Sequence, residues 1–152
     1  MMIEYLNVTK TLSVNSDQAW SLIRAIGGLE LWFPAIASCR VSGAGVGAER
    51  AMSLRDGAGI IDRIDEINDA ERRFRYTRTV APFACSRYLG TVEVRDDNGN
   101  TTVSWTLELD VDQAARDELV AFLTDALSDG ITGLERYIKA QADIDDNNLT
   151  IA

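Results

Sequence analysis

The chain contains no histidine, only two cysteines and two prolines in 152 residues, and 15 basic against 24 acidic side chains. Each shortage removes a class of function. Without histidine there is no Ser-His-Asp or Cys-His nucleophile, no usual zinc site and no imidazole pH switch. Cys39 and Cys85 stand far apart and form no C-x-x-C pair; they read as two reduced, mostly buried thiols rather than a metal or redox motif. A net charge of −9 supplies no positive field for nucleic acid or an anionic membrane surface. Arg72, Arg73, Arg75 and Arg78 are a local exception, but on a strand their parity divides them between two faces, as at a solvated sheet edge. No segment approaches the ~20 apolar residues of a membrane span. Glu4 stands where a signal peptide has basic residues, so the expectation is a cytoplasmic protein with no membrane insertion.

What remains is an ordinary globular composition, 46% hydrophobic and 26% charged, at the length of one domain able to bury its own core. The longest pattern lies near the C-terminus, from Asp112 to Lys139. Leu119, Phe122, Leu123, Ala126, Leu127, Gly130, Ile131, Leu134, Tyr137 and Ile138 recur at the three-then-four spacing of one helix face. A helix of that length spans roughly 40 Å and needs a broad apolar surface to lie on. The tail, residues 141–152, is polar and uncapped, and is expected to fray.

The rest supplies that surface. Residues 5–14 alternate, with Leu6, Val8, Leu12 and Val14 on one parity and Thr9 and Thr11 on the other, as in a half-buried strand. Asn15 or Ser16 can cap a helix that carries Trp20, Ile23 and Ile26 on one stripe and ends at Gly27-Gly28. Residues 29–36 allow a second short helical turn, broken before Pro34. Six strands follow, at about 38–41, 48–54, 60–67, 72–80, 87–95 and 101–110. Turn signals separate them, Asn98-Gly99 being the strongest. Connections this short make neighbours antiparallel, and the first strand is free to join an open edge.

One strand, two short helices, a six-strand meander and a long helix resemble the START-like superfamily, the α+β helix-grip fold of birch-pollen-type allergens and of polyketide cyclase/dehydrase and lipid-transport proteins. The residues that carry the likeness are Ala19-Trp20-Ser21-Leu22-Ile23, Trp32-Phe33-Pro34-Ala35-Ile36, Ser38-Cys39-Arg40-Val41, Gly45-Val46-Gly47-Ala48-Glu49-Arg50, Ile61-Asp62-Arg63-Ile64, Phe74-Arg75-Tyr76 and Thr102-Val103-Ser104-Trp105, in that order. The likeness spans about residues 4–139, implying a ligand-binding domain over residues 1–140 with the polar tail outside it. It implies a seven-stranded curved antiparallel sheet closed by the C-terminal helix, with a cavity between them. It does not extend to the gate loop of the plant hormone receptors in this superfamily, where this chain reads Leu54-Arg55-Asp56-Gly57-Ala58-Gly59.

Both parities of residues 60–64 contain isoleucine, so the pattern leaves the direction of Asp62 open; the resemblance puts a carboxylate there inside. A turn at Asn68–Glu71 sets Ile64 near Tyr76 and Asp62 near Arg78, on one face. Arg78 would then neutralise an interior carboxylate; the alternative is that both lie at the sheet's wet rim. Tyr76, Tyr88 and Trp105 share parity with apolar neighbours and suit either a ligand cavity or plain core. Trp32 and Phe33 belong near the cavity mouth or pack the short helices onto the sheet.

Two functions follow. The first is binding or transport of a small hydrophobic or aromatic molecule by Asp62, Ile64, Tyr76, Arg78, Tyr88, Trp105, Phe122 and Trp32, which expects an apolar cavity of a few hundred Å³. The second is a cyclase or dehydratase-like enzyme, without metal or cofactor, in which Asp62 is general acid or base and Tyr76 or Tyr88 a proton donor. An arginine beside Asp62 would depress its pKa and make it a poor donor at neutral pH. A third reading is that the cavity is collapsed and the domain is a protein-interaction module, forming a homodimer through an exposed sheet edge.

Overall fold

The computed structural model describes the backbone of residues 2–151 and the side chains of residues 2–146. Its elements are strands β1 (Met2–Leu12), β2 (Ile36–Ser42), β3 (Glu49–Leu54), β4 (Gly59–Asn68), β5 (Arg73–Val80), β6 (Cys85–Asp97) and β7 (Asn100–Val111), and helices α1 (Ser16–Arg24), α2 (Leu29–Trp32) and α3 (Arg116–Ile151). A 3₁₀ turn, Gln113–Ala115, precedes α3. The strands form one antiparallel sheet of seven in the order β1-β7-β6-β5-β4-β3-β2, so the meander is intact and β1 closes onto its far end. This is the helix-grip α+β architecture.

Alternation builds the inner face. Every second residue of β7 is buried, from Thr101 through Val103, Trp105, Leu107 and Leu109 to Val111. Opposite them on β6 stand Val94, Val92 and Tyr88, and beyond those Phe74 and Tyr76 of β5. Leu119, Leu123, Leu127, Ile131, Leu134 and Ile138 of α3 are buried against this surface, the stripe that helical periodicity dictates. β1 follows the same alternation, but its inner row includes Glu4, paired with Arg116, and Lys10. The Lys10 ammonium donates to the Ser128 carbonyl at 3.1 Å and to Thr132 at 2.7 Å. Inward charges on an edge strand discourage pairing with a further strand.

Local chemistry sets the boundaries. Asn15 caps α1 by accepting the Gln18 amide at 3.1 Å. Asn98 and Gly99 both have positive φ, 52° and 89°, as the tight β6–β7 turn requires. At the end of α1 the left-handed residues are Ile26 (φ 70°) and Gly28 (φ 79°), whereas Gly27 is not left-handed. A Cβ at Gly27 would come within 2.9 Å of the Val41 side chain, so close packing explains that glycine. A branched residue in the left-handed region is strained by about 1–3 kcal/mol.

Three expectations shift. β1 ends at Leu12 rather than Val14, because the Val14 carbonyl accepts the Thr101 hydroxyl at 2.6 Å instead of joining the ladder. The two thiols are only half-buried. The long helix begins at Arg116, after Asp112 caps the 3₁₀ turn by accepting the Ala114 amide at 3.1 Å. It runs on to Ile151, where fraying was expected from residue 141; side chains from 147 onward lie outside the described residues.

Two glycines fix how closely α3 approaches the loop after α2. A Cβ at Gly130 would fall 2.2 Å from the Phe33 ring, and one at Gly133 only 1.9 Å from the Trp32 carbonyl oxygen. A ring can turn, but a backbone carbonyl cannot yield without moving the loop. Gly133→Ala is therefore expected to destabilise the domain by about 1–3 kcal/mol or more and lower its Tm by several degrees. Gly59→Ala, whose Cβ would meet nothing within 4 Å, should stay within about 0.5 kcal/mol. Equal melting midpoints for the two variants would mean that α3 and the loop are not in this contact.

Candidate functional site

Three charged side chains form one cross-strand row on the inner face. Arg50 of β3 pairs with Asp62 of β4, and Asp62 pairs with Arg78 of β5. The Arg50 Nε donates to Asp62 Oδ2 at 2.8 Å; the Arg78 Nε donates to Oδ1 at 2.8 Å and its Nη2 to Oδ2 at 3.2 Å. Asp62 is completely buried and Arg50 nearly so. Two further contacts make the guanidiniums tolerable away from water. Arg50 donates through Nη1 to the Ile26 carbonyl at 3.1 Å, the carbonyl of the left-handed residue. Both cations also lie over aromatic faces, Arg50 at 4.8 Å from the Tyr76 centroid and Arg78 at 4.4 Å from that of Tyr88, each such contact being worth about 0.5–2 kcal/mol.

Burial alone would raise the Asp62 pKa, but Arg78 and Arg50 outweigh it and hold the carboxyl below its usual range. Burial pushes the phenols of Tyr76 and Tyr88 up, so both are neutral hydroxyls at neutral pH. Tyr76 accepts the Trp105 indole N–H at 3.1 Å. Its ring crosses β6 where Gly90 leaves space, since a Cβ there would sit 2.1 Å from the ring. Arg78 and Asp62 thus lie within the interior, the rim alternative notwithstanding.

A narrow cavity opens beside this row, between the sheet and α3. Its walls include Arg50, Arg78, Tyr76, Tyr88 and Trp105 from the sheet and Phe122, Leu123, Ala126 and Leu127 from α3, with Phe33 and Phe83 from loops. The cavity is small, about 30 Å³. The enclosed space holds one or two waters. The expected few hundred Å³ are absent because aromatic side chains fill them. Phe33 packs edge-on to Trp105 at 5.5 Å. Phe83 bridges Tyr88 at 6.2 Å and Phe122 at 5.8 Å, closing the mouth; Phe122 is 47% exposed there.

Of the residues singled out from sequence, Tyr76, Arg78, Tyr88, Trp105 and Phe122 border this cavity. Asp62 stands behind the arginines and does not. Ile64 is buried and lies outside the lining, where its backbone pairs with Gly47 and Ala48. Trp32 is a core residue, 6.4 Å from Trp105 and not at the mouth; its indole N–H has no partner among the described residues. Sequence reasoning missed Arg50 and Phe83. The count that set Asp62 opposite Arg78, applied to the turn at Arg55-Asp56-Gly57, sets Arg50 opposite Asp62 as well. Phe83 lies between strands, where periodicity carries no signal. Among the described residues no group of three or more potential ligand side chains could hold a metal, and no helix is long and apolar enough to cross a membrane.

The depressed Asp62 pKa ties the row to acid stability. A carboxyl lower in the folded than in the unfolded state contributes stability that is present above its ordinary value near 3.8 and is lost as pH falls through the folded one. Glu66, Asp69 and Glu108 are held low too, through hydrogen bonds from Arg73, Trp20 and Tyr5 respectively, so the contrast with a variant isolates Asp62. Asp62→Asn leaves two buried cations unbalanced and is expected to cost about 3–5 kcal/mol at pH 7. That deficit should shrink steadily below about pH 4 in urea titrations. A deficit independent of pH down to the acid transition would show that Asp62 is not ionised in the native state.

Comparison with known proteins agrees with this architecture. The family model described as polyketide cyclase / dehydrase and lipid transport matches residues 6–139. No curated protein matches the chain. Among solved structures, an uncharacterised protein from Bacillus thuringiensis is 26% identical with a TM-score of 0.80, covering 89% of this chain and 98% of its own. The protein XoxI from Bacillus cereus is also 26% identical at a TM-score of 0.80, covering 88% and 94%. Ara h 8.0201 shares the fold at 16% identity, TM-score 0.76, covering 91% and 99%. With a match over nearly its whole length, a seven-stranded open sheet and a long closing helix, the chain belongs to the polyketide cyclase/dehydrase and lipid transport family of the START-like superfamily.

Proposed function

We propose that this protein binds a small, largely apolar or aromatic molecule between the sheet and α3, without transforming it. The observation that carries this reading is the cavity wall itself. Aromatic and aliphatic side chains make up most of it, while a few polar groups, Arg50, Arg78, Tyr76 and Tyr88, converge on one side. That composition suits a ligand held by apolar contact and oriented by one or two polar atoms. The family description, polyketide cyclase / dehydrase and lipid transport, supports an apolar occupant.

The small resting volume makes entry a displacement. Phe83 and Phe122 close the mouth with rings that contact each other, and the Phe83 ring also stacks on Tyr88. Phe122 is already half in solvent, so turning it outward removes little buried area. A ligand ring taking the place of the Phe83 ring would keep the stack on Tyr88.

The enzymatic alternative loses its proposed acid. Both Asp62 oxygens accept from arginines, the charged form is favoured, and the residue does not border the cavity, so Asp62 has no proton to give and no direct reach to an occupant.

Thermal-shift titration against aromatic polyketides, flavonoids, fatty acids and sterols tests the reading. At least one class should raise the Tm, by the equivalent of about 2.7 kcal/mol at a hundredfold excess over Kd. Ala126→Phe, which puts a ring where a half-buried methyl borders the cavity, should weaken that compound at least tenfold. Stabilisation by no class, or undiminished binding to Ala126→Phe, would overturn it.

A further inference from the structure

The cavity wall carries a charge that the fold leaves unbalanced. Arg50 and Arg78 both border the cavity, and no acidic side chain does. Their one counter-ion, Asp62, lies behind them with both oxygens engaged. Two cations against one carboxylate leave one positive charge in an environment of aromatic rings, a costly arrangement unless something completes it. The spare hydrogen-bonding capacity has the same polarity. Among the described residues, Arg78 Nη1, Arg50 Nη2 and the Tyr88 hydroxyl make no hydrogen bond, and Tyr76 accepts from Trp105 with its own hydrogen uncommitted. Guanidinium nitrogens donate only, and a neutral phenol donates readily. The wall therefore offers donors and a positive field.

Resting on the reading of this cavity as a ligand site, we propose that its occupant is a monoanionic apolar molecule, a hydrophobic carboxylic acid in class. Its anionic head lies against Arg78 and the Tyr88 and Tyr76 hydroxyls, and its apolar body extends toward Phe83 and Phe122. A carboxylate accepts two or more donors at once and matches a guanidinium edge. It would neutralise the surplus charge, which a neutral lipid or sterol of the same shape does not. The surface gives no general help: with a net charge of −9 the chain repels anions at long range. A preference for an anion is thus a property of this site, and raising the salt concentration should speed association rather than weaken the preference.

A matched pair of dyes separates charge from apolar contact. The probes are 8-anilinonaphthalene-1-sulfonate, always anionic, and N-phenyl-1-naphthylamine, the same ring system without the acid group, titrated by fluorescence into the full chain. The expected result is one saturable site with the anionic dye bound at least tenfold tighter. Arg78→Gln should remove most of that gap, Arg78→Lys should keep much of it, and Tyr88→Phe should reduce it a few-fold. If Arg78→Gln does not fold, Tyr88→Phe, which removes one oxygen atom from the wall and disturbs no ion pair, decides. Equal affinity of the two dyes at one saturable site overturns the anionic occupant and leaves the binding reading standing. Failure of both dyes to bind saturably overturns both. A gap that survives unchanged in Arg78→Gln and Tyr88→Phe locates the anion elsewhere and overturns the proposal.

Discussion

The Arg50–Asp62–Arg78 row places three charges in the interior of the domain, with the carboxylate completely buried, and the neighbouring elements are arranged around what that requires. A buried carboxylate needs donors on both oxygens; the β3, β4 and β5 register supplies them because the three residues are direct cross-strand partners. The guanidiniums in turn need acceptors and polarisable faces. Tyr76, Phe74 and Tyr88 provide the faces, and the carbonyl of Ile26 provides an acceptor. That carbonyl is presented by a branched residue at φ 70°, so strain at the end of α1 is stored where it serves the charged row. A bulge between Ile61 and Asp62 re-aims the strand at the same point, a common role for such irregularities. Replacing a network of this kind with aliphatic side chains is often neutral or stabilising, so stability alone gives no reason to keep it, and the proposed recognition of a ligand would.

A second constraint acts from the opposite wall. The loop carrying Trp32 and Phe33 presses onto α3 at Gly130 and Gly133, which fixes the height of the helix above the sheet over this end. At the other end no glycine contact of this kind draws the helix down, and Phe122 and Phe83 fill the gap with side chains alone. The rigid end holds the Phe33–Trp105 pair, and the cavity lies between it and the aromatic closure. For the proposed ligand, entry at the Phe83–Phe122 end needs only side-chain rotation, a far smaller rearrangement than moving a packed helix.

The fold was legible because its signals are local and repeated. Residues 101–111 alternate without a break, α3 keeps one apolar stripe, and Asn98-Gly99 allows one kind of turn; together they specify the meander and its closing helix. The pairing of Asp62 with Arg78 and of Ile64 with Tyr76 followed from one turn position, and it is the observed register. What stayed illegible depends on distances between elements. Gly90 reads as a weak point in a strand, and only the Tyr76 ring crossing over it gives it a purpose. Trp32 and Phe33 are adjacent in sequence, yet one enters the core and the other the cavity wall, a choice made by the helix above them. Cavity volume was the least accessible quantity, since it is the small remainder after large side chains have been placed.

The arrangement of charges is also the physical ground on which binding is proposed here over catalysis. A general acid or base must exchange a proton during the reaction, so its pKa has to lie near the working pH and its proton has to face the substrate. The polar groups of this cavity wall each fail one condition: arginine does not deprotonate, and the two phenols are pushed up by burial; Asp62, behind the wall, is held down by its arginines. Such groups are unsuited to moving protons, but they are well suited to holding a fixed pattern of donors against a partner whose charge does not change. The same features that disqualify them as acids and bases, permanent charge and locked geometry, reduce the reorganisation needed on association, which is where pre-formed sites gain affinity. On the proposed binding reading, burial does opposite things here: it removes the freedom that catalysis needs and keeps the order that recognition needs.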